Sequence, residues 1–217
     1  MKENLIAIKE FLVNNYKLII MFICIVILLF LIEDVMDKDI MTFDETGYNL
    51  VSKYLISDTL TPIAKIITFF GSAYWLIGLS VFLLIIIKNK KIGVSIITNL
   101  GLAALTNFLL KQILQRPRPI GHRIIDESGY SLPSGHSMVS MAFYGFLIYL
   151  VYKKVENKHL KSFLIAVLLV LTINIGISRI YLGVHYTSDV IAGFLVAISY
   201  LIIYANSIKG LILEDKR

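Results

Sequence analysis

Long apolar runs alternate with short polar segments along this chain. Leu18 to Ile32 is unbroken apolar sequence, and further runs follow at Ile63–Ile87, Ile92–Leu110, Met138–Tyr152, Ser162–Ile177 and Val190–Tyr204. A helix rising 1.5 Å per residue crosses a hydrocarbon core of ~30 Å in about 20 residues. Each run is long enough for this, or nearly so. The runs are continuous and not alternating, which selects helices over a β-barrel. The pattern predicts an all-α, six-span transmembrane helical bundle, with residues 1–217 forming a single integral membrane domain. Glu33-Asp34 follows the first run where a small-residue cleavage site would be needed, so the run is expected to be a retained span, extended backward past a snorkelling Lys17. Residues 1–17 place their apolar positions roughly on one face, which predicts a short interfacial helix leading into that span. In residues 33–62 acidic side chains outweigh Lys38 and Lys53. Weak helical periodicity at Leu50, Tyr54, Leu55 and Leu60 puts part of this segment on the membrane surface. Asn99, Thr106 and Asn107 in the third run are expected to hydrogen-bond to other helices.

Composition agrees. The chain is 57% hydrophobic, against about 45–50% for a soluble domain. Its net charge of +6 lies mostly in short turns, around Lys88, Lys90 and Lys91 and around Lys153, Lys154, Lys158 and Lys161. That distribution reports topology and excludes nucleic acid as the partner. Six spans put both termini on the side of the Lys-rich turns, which the positive-inside rule makes cytoplasmic. The expected location is a plasma membrane, crossed several times, with segments 111–137 and 178–189 facing outward. Arg116, Arg118 and Arg123 then lie on the side where arginine is disfavoured, which implies work for them there. Cys24 is the single cysteine. It cannot form an internal disulfide and reads as a buried residue of the first span.

Three polar segments carry the candidate chemistry. Lys111 and Arg118 offer a point charge and a planar fork of donors, a combination suited to the several oxygens of a phosphate. Ser134-Gly135-His136 opens a span, where free backbone N–H groups and the helix dipole favour an anion, and Gly135 allows close approach. Arg179 adds a guanidinium. His185 and Asp189 stand four apart, on one face of a helix, so the carboxylate can fix the imidazole tautomer and leave the other nitrogen free as base or nucleophile. Three cations, a hydroxyl, backbone donors and two histidines describe a phosphoryl-transfer site without a metal. No carboxylate cluster accompanies the cations, so no metal ligand and no cofactor is assigned. Simpler explanations exist for each residue alone: a snorkelling lysine, an arginine on lipid phosphates, a capping serine, a structural histidine. His122, Arg123, Asp126 and Glu127 are expected to be loop residues near substrate, and His159 a solvated residue on the opposite side.

The spacings Lys111-x6-Arg118-Pro119, Pro133-Ser134-Gly135-His136 and Ser178-Arg179-x5-His185-x3-Asp189 resemble the three signature motifs of the type 2 phosphatidic acid phosphatase (PAP2) superfamily, which includes the haloperoxidases. The resemblance implies a membrane lipid phosphatase of the bacterial branch. His185 would attack phosphorus and form a phosphohistidine, Asp189 would orient His185, and His136 would protonate the leaving oxygen. Lys111, Arg118, Ser134, the Gly135 amide and Arg179 would bind the phosphoryl oxygens. The substrates it implies are phosphatidylglycerophosphate, phosphatidate or undecaprenyl diphosphate, and no obligate protein partner is expected. The competing reading is a lipid transporter or silent headgroup binder that uses the same cations, although binding alone does not call for two histidines and a carboxylate.

Overall fold

The computed structural model describes residues 2–37, 42–121 and 123–213, with side chains described within 11–211. The acidic-basic tail after Leu213 lies outside the described residues. The helices are α1 (Lys2–Met36), α2 (Thr42–Tyr54), α3 (Leu60–Phe69), α4 (Ala73–Ile86), α5 (Lys90–Leu114), α6 (Gly135–Lys154), α7 (Lys158–Tyr181), α8 (Thr187–Ser207) and the short α9 (Lys209–Leu213). There is no strand among the described residues. Five helices (α1, α5, α6, α7 and α8) are long and apolar enough to cross a membrane.

The second predicted span is broken. α3 and α4 meet at 49° around Phe70-Gly71-Ser72, and only the two taken together are long and apolar enough to count as a sixth span. The break has local causes. Ser72 caps α4 by accepting from the Trp75 amide. A side chain at Gly71 would put its Cβ 2.6 Å from Ile175 Cγ2 and 3.1 Å from the His136 ring, so the backbone passes close to α6 and α7 only because this residue is glycine. A carbonyl freed inside a membrane needs a partner. Tyr144 Oη supplies it, donating to the Phe70 carbonyl at 2.7 Å while accepting from Trp75 Nε1 at 3.0 Å.

The residues of the expected interfacial helix are continuous with the first span. α1 runs without interruption from Lys2 through the first span, since nothing in residues 1–17 breaks a helix. The acidic segment after it holds α2, which packs on α7 and α8 with Asp44 buried. Two of the three α5 residues expected to bond across helices do so: Asn99 Nδ2 donates to the Ala142 carbonyl and Asn107 Nδ2 to the Pro133 carbonyl. Thr106 bonds instead to Leu102 of its own helix.

α6 is the centre of the bundle, packed against α5, α7 and α8. Phe143, Tyr144 and Phe146 meet Leu76, Ile96 and Ile175 in the main apolar core. α8 lies close to α6 because Gly193 faces the start of α6; a Cβ there would stand 3.1 Å from both the Met138 amide nitrogen and the Ser134 carbonyl oxygen. Successive antiparallel spans bring the end of α5, the start of α6, the end of α7 and the start of α8 to one end of the bundle. The Lys-rich turns occupy the other end.

Backbone atoms cannot yield as a flexible side chain can. Gly193→Ala is expected to destabilise the protein by about 1–3 kcal/mol, the usual cost of overpacking. Gly78→Ala, which meets nothing within 4 Å, should leave the melting temperature in detergent unchanged or slightly raised. Thermal unfolding of the two variants checks the contrast.

Candidate active site

α5 stops at Leu114, where Gln115 takes a left-handed conformation (φ 45°) and Pro117 and Pro119 prevent further helix. The loop that follows folds back over the end of the bundle. The Ser131 amide donates to the Arg116 carbonyl at 2.8 Å, and the Ile124 amide donates to the Leu182 carbonyl at 3.0 Å. Ser134 caps α6, its hydroxyl accepting from the Ser137 amide at 3.4 Å, and its own amide donates to the Asp189 carbonyl at 3.0 Å. Those bonds join the three sequence motifs into one site.

His185 is buried, and its two ring nitrogens face different groups. Nδ1 lies 3.4 Å from Asp189 Oδ2 and 3.3 Å from Ser131 Oγ, which itself donates to Asp189 Oδ2 in a short hydrogen bond. Nε2 lies 3.0 Å from Arg118 Nη1. A guanidinium can only donate. The Nε2 atom therefore carries the lone pair, and Nδ1 carries the proton when the ring is neutral. Burial pushes the His185 pKa down to about 4, with Arg118 and Arg179 acting in the same sense and Asp189 in the other.

The expected anion-binding residues surround this imidazole. Arg118 is held by the Gly129, Ser128 and Val184 carbonyls at 2.9–3.0 Å. Lys111 Nζ donates to the Tyr130 and Ser131 carbonyls. Arg179 is 1% exposed and donates at 2.7 Å to Thr68 Oγ1 and to Glu127 Oε2. Its Nε has no partner among the described residues, a buried donor with its hydrogen bond still to make. Burial opposes ionisation of Glu127, yet the charge and hydrogen bond of Arg179 hold its carboxyl below the usual range. His136 is half-buried and makes no hydrogen bond among the described residues, so its ring is available to a ligand. A cavity of about 490 Å³ reaches His185 between α2 and the loops, lined by Glu45, Tyr48, Asn49, Pro119 and Ile120 among others.

Comparison with known proteins settles the family. The PAP2 superfamily profile matches residues 92–212, more than half of the chain and all three motif segments. The chain belongs to the PAP2 superfamily. It is 36% identical to phosphatidylglycerophosphatase B of Bacillus subtilis over 104 residues, 47% of this chain and 51% of that protein. The match therefore spans about half the length of that relative. With the undecaprenyl-diphosphatase of Sulfolobus acidocaldarius it shares 27% identity over 195 residues, 84% of this chain and 90% of that one. The crystal structure of a transmembrane PAP2 type phosphatidylglycerolphosphate phosphatase from Bacillus subtilis superimposes with a TM-score of 0.76, covering 88% of this chain and 96% of that chain at 24% identity. The PAP2 membrane fold is thereby established.

The site of this PAP2 chain also contains residues that the motifs do not contain. Arg116 donates at 2.7 Å to Asp189 Oδ1, to Ser188 Oγ and to Asp44 Oδ2. Ser131 bridges Asp189 and His185, and Glu127 occupies Arg179. Arg116 had one signal in the sequence, its position on the side where arginine is disfavoured. Asp44 had none, since one more carboxylate in an acidic segment is unremarkable. Of the other loop residues, Arg123 closes its own turn on the Pro119 carbonyl, Asp126 is exposed, and His122 lies outside the described residues. His159 is exposed at the Lys-rich end.

The sign of the His185 shift fixes a pH effect. Its folded pKa lies below the ordinary 6.5, so between those two values the unfolded chain binds a proton that the folded chain refuses. Stability is expected to fall as pH drops from about 6.5 towards 4. In ¹⁵N-histidine-labelled protein, His185 should remain neutral at pH 6 with its proton on Nδ1. A doubly protonated ring at that pH would contradict the arrangement.

Proposed function

We propose that this chain is a membrane lipid phosphatase that hydrolyses a lipid phosphate monoester or diphosphate and releases inorganic phosphate on the extracytoplasmic side. One observation carries the reading. The lone pair of His185 Nε2 points to the guanidinium of Arg118, while the other nitrogen is backed by Asp189 and Ser131. An imidazole held this way is aimed at whatever anion the guanidinium holds. The relatives support the class, being named for hydrolysis of phosphatidylglycerophosphate and undecaprenyl diphosphate.

His185 Nε2 attacks phosphorus and the lipid oxygen leaves, giving a phosphohistidine. Asp189 stabilises the positive charge that develops on the ring. His136 gives the leaving oxygen its proton. Water then attacks the phosphohistidine, with His136, now deprotonated, taking the proton from the water. Lys111, Arg118, Ser134, the Gly135 amide and Arg179 hold the phosphoryl oxygens, and stabilisation of their charge is the larger part of the catalysis. Arg179 Nε is a buried donor that no group among the described residues uses. Residues 1–217 act as one domain in this reading, and no metal or cofactor takes part. The Lys-rich turns opposite the site favour the outward orientation.

Phosphate release from phosphatidylglycerophosphate, phosphatidate and undecaprenyl diphosphate by purified protein tests the class; binding without release from any of them would indicate a headgroup binder. Activity is expected to persist in excess chelator and to be inhibited by vanadate. The two histidines should separate by leaving group. General acid catalysis contributes typically 10²–10⁴-fold. His136→Ala should lose roughly that on a lipid monophosphate and much less on p-nitrophenyl phosphate, whose leaving group needs no proton. His185→Ala should be inactive on both, and residual turnover in it would reject the covalent route. For orientation, a cysteine placed at Ser128 should react with an impermeant reagent in intact cells and one at Lys88 should not. The reverse pattern would put the site in the cytoplasm.

A further inference from the structure

Asp189 is fully buried and accepts four donors or near-donors. Two are local, the Tyr186 amide at 2.9 Å and His185 Nδ1 at 3.4 Å. Ser131 is the third. The fourth is Arg116, which holds the oxygen that does not face His185. Arg116 is itself stretched between two carboxylates, with Nη1 on Asp189 and Nη2 on Asp44, both at 2.7 Å. Its guanidinium lies over the Tyr186 ring at 4.1 Å. Asp44 comes from the first turn of α2, far away in sequence, and is 2% exposed. Its Oδ1 accepts the Ser188 amide and its Oδ2 the Ser188 hydroxyl, each at 2.8 Å. The Tyr186 bond belongs to the capping box of α8, and Asp44 takes the amide of Ser188 in the first turn of the same helix, but the two Arg116 bonds close no helix, and a buried ion pair is weak evidence of stability alone. A planar fork is the side chain that can span two carboxylates in fixed geometry.

We propose that Asp44 and Arg116 form a positioning pair for the reaction, running from α2 through Arg116 to the carboxylate that orients His185. The proposal rests on the phosphatase reading for its kinetic consequences only. Neither residue touches the reacting atoms. Arg116 sets the direction and charge of Asp189, and Asp44 sets the direction and charge of Arg116. α2 also forms one wall of the cavity that reaches His185, through Glu45, Tyr48 and Asn49. Docking of that wall and alignment of the nucleophile therefore share the Asp44–Arg116 contact.

The electrostatics give a signature that a purely structural role lacks. Without the Arg116 charge, Asp189 is less shielded and draws a proton to His185 more strongly. Without the Asp44 charge, Arg116 acts more fully on Asp189 and the draw weakens. The other groups facing His185 are unchanged in both cases: Arg118 and the Ser131 hydroxyl from the loop, Arg179 from α7, His136 from α6, and Glu45 and Tyr186 around the cavity.

The test uses full-length Arg116→Gln, Asp44→Asn, the double variant and Arg116→Lys in detergent or nanodiscs. The titration of His185 by ¹⁵N NMR should move to higher pH in Arg116→Gln and to lower pH in Asp44→Asn. On p-nitrophenyl phosphate, kcat per folded molecule should fall about 10–100-fold, the loss typical when an orienting partner of a reacting group is removed, with KM within about threefold. The double variant should lose no more than Arg116→Gln, because residues acting in series are not additive. Arg116→Lys keeps the charge and loses the fork, which guards against variants that merely fail to fold. Reduced kcat with wild-type melting is expected of it, and wild-type kcat would overturn the proposal. Shifts of His185 in the same direction, or none, would also overturn it, as would a rise in KM with kcat intact. A wild-type protein that releases no phosphate defeats the phosphatase reading. The NMR shifts do not depend on turnover, so their absence defeats the positioning role by itself.

Discussion

A carboxylate with no exposure to solvent, Asp189, is the constraint around which this end of the bundle is arranged. An ion so buried must be paired and hydrogen-bonded, and removing one partner of such a pair typically costs about 3–5 kcal/mol. Its partners come from distant parts of the chain: Arg116 and Ser131 from the two ends of one loop, Tyr186 and His185 from the turn before α8, and Asp44 through Arg116. The loop cannot leave the bundle without stranding this charge. α2 cannot leave without taking one of the two carboxylates that hold Arg116. Local structure, packing and the geometry of the site are thus conditions of one another.

The cations around His185 pose the opposite electrostatic problem. Lys111, Arg118 and Arg179 share a poorly solvated volume, where like charges repel strongly. The fold meets this with carbonyl oxygens on Lys111 and Arg118 and with the Glu127 carboxylate on Arg179. These bonds fix the donors in place, the preorganisation that the proposed phosphate site would require. The same cations and the same burial keep His185 neutral, so that its nitrogen retains a lone pair.

Much of the architecture is what a helical bundle in lipid must do. Side chains at span ends can be charged, and antiparallel succession gathers alternate ends at one surface. The bend between α3 and α4 departs from this regularity and brings Gly71 against His136. Tyr144 makes the bend tolerable by satisfying the Phe70 carbonyl.

The sequence by itself determined the spans, because hydrophobic run length is set by bilayer thickness. It also determined the family, because Lys111-x6-Arg118-Pro119, Pro133-Ser134-Gly135-His136 and Arg179-x5-His185-x3-Asp189 are local patterns. The pairing of His185 with Asp189 was legible as an i, i+4 relation on one helix face, although in the structure His185 precedes α8 and Asp189 lies in its first turn. Only the tertiary structure decided the rest. Gly71-Ser72 marks a candidate break at residues 70–72, but its accommodation depends on what Gly71 and Phe70 meet on α6 and α7. The roles of Asp44, Arg116, Ser131 and Glu127 depend on contacts between residues 52 to 144 positions apart. A buried carboxylate and a solvated one are the same letter in a sequence, and burial is a property of the folded chain.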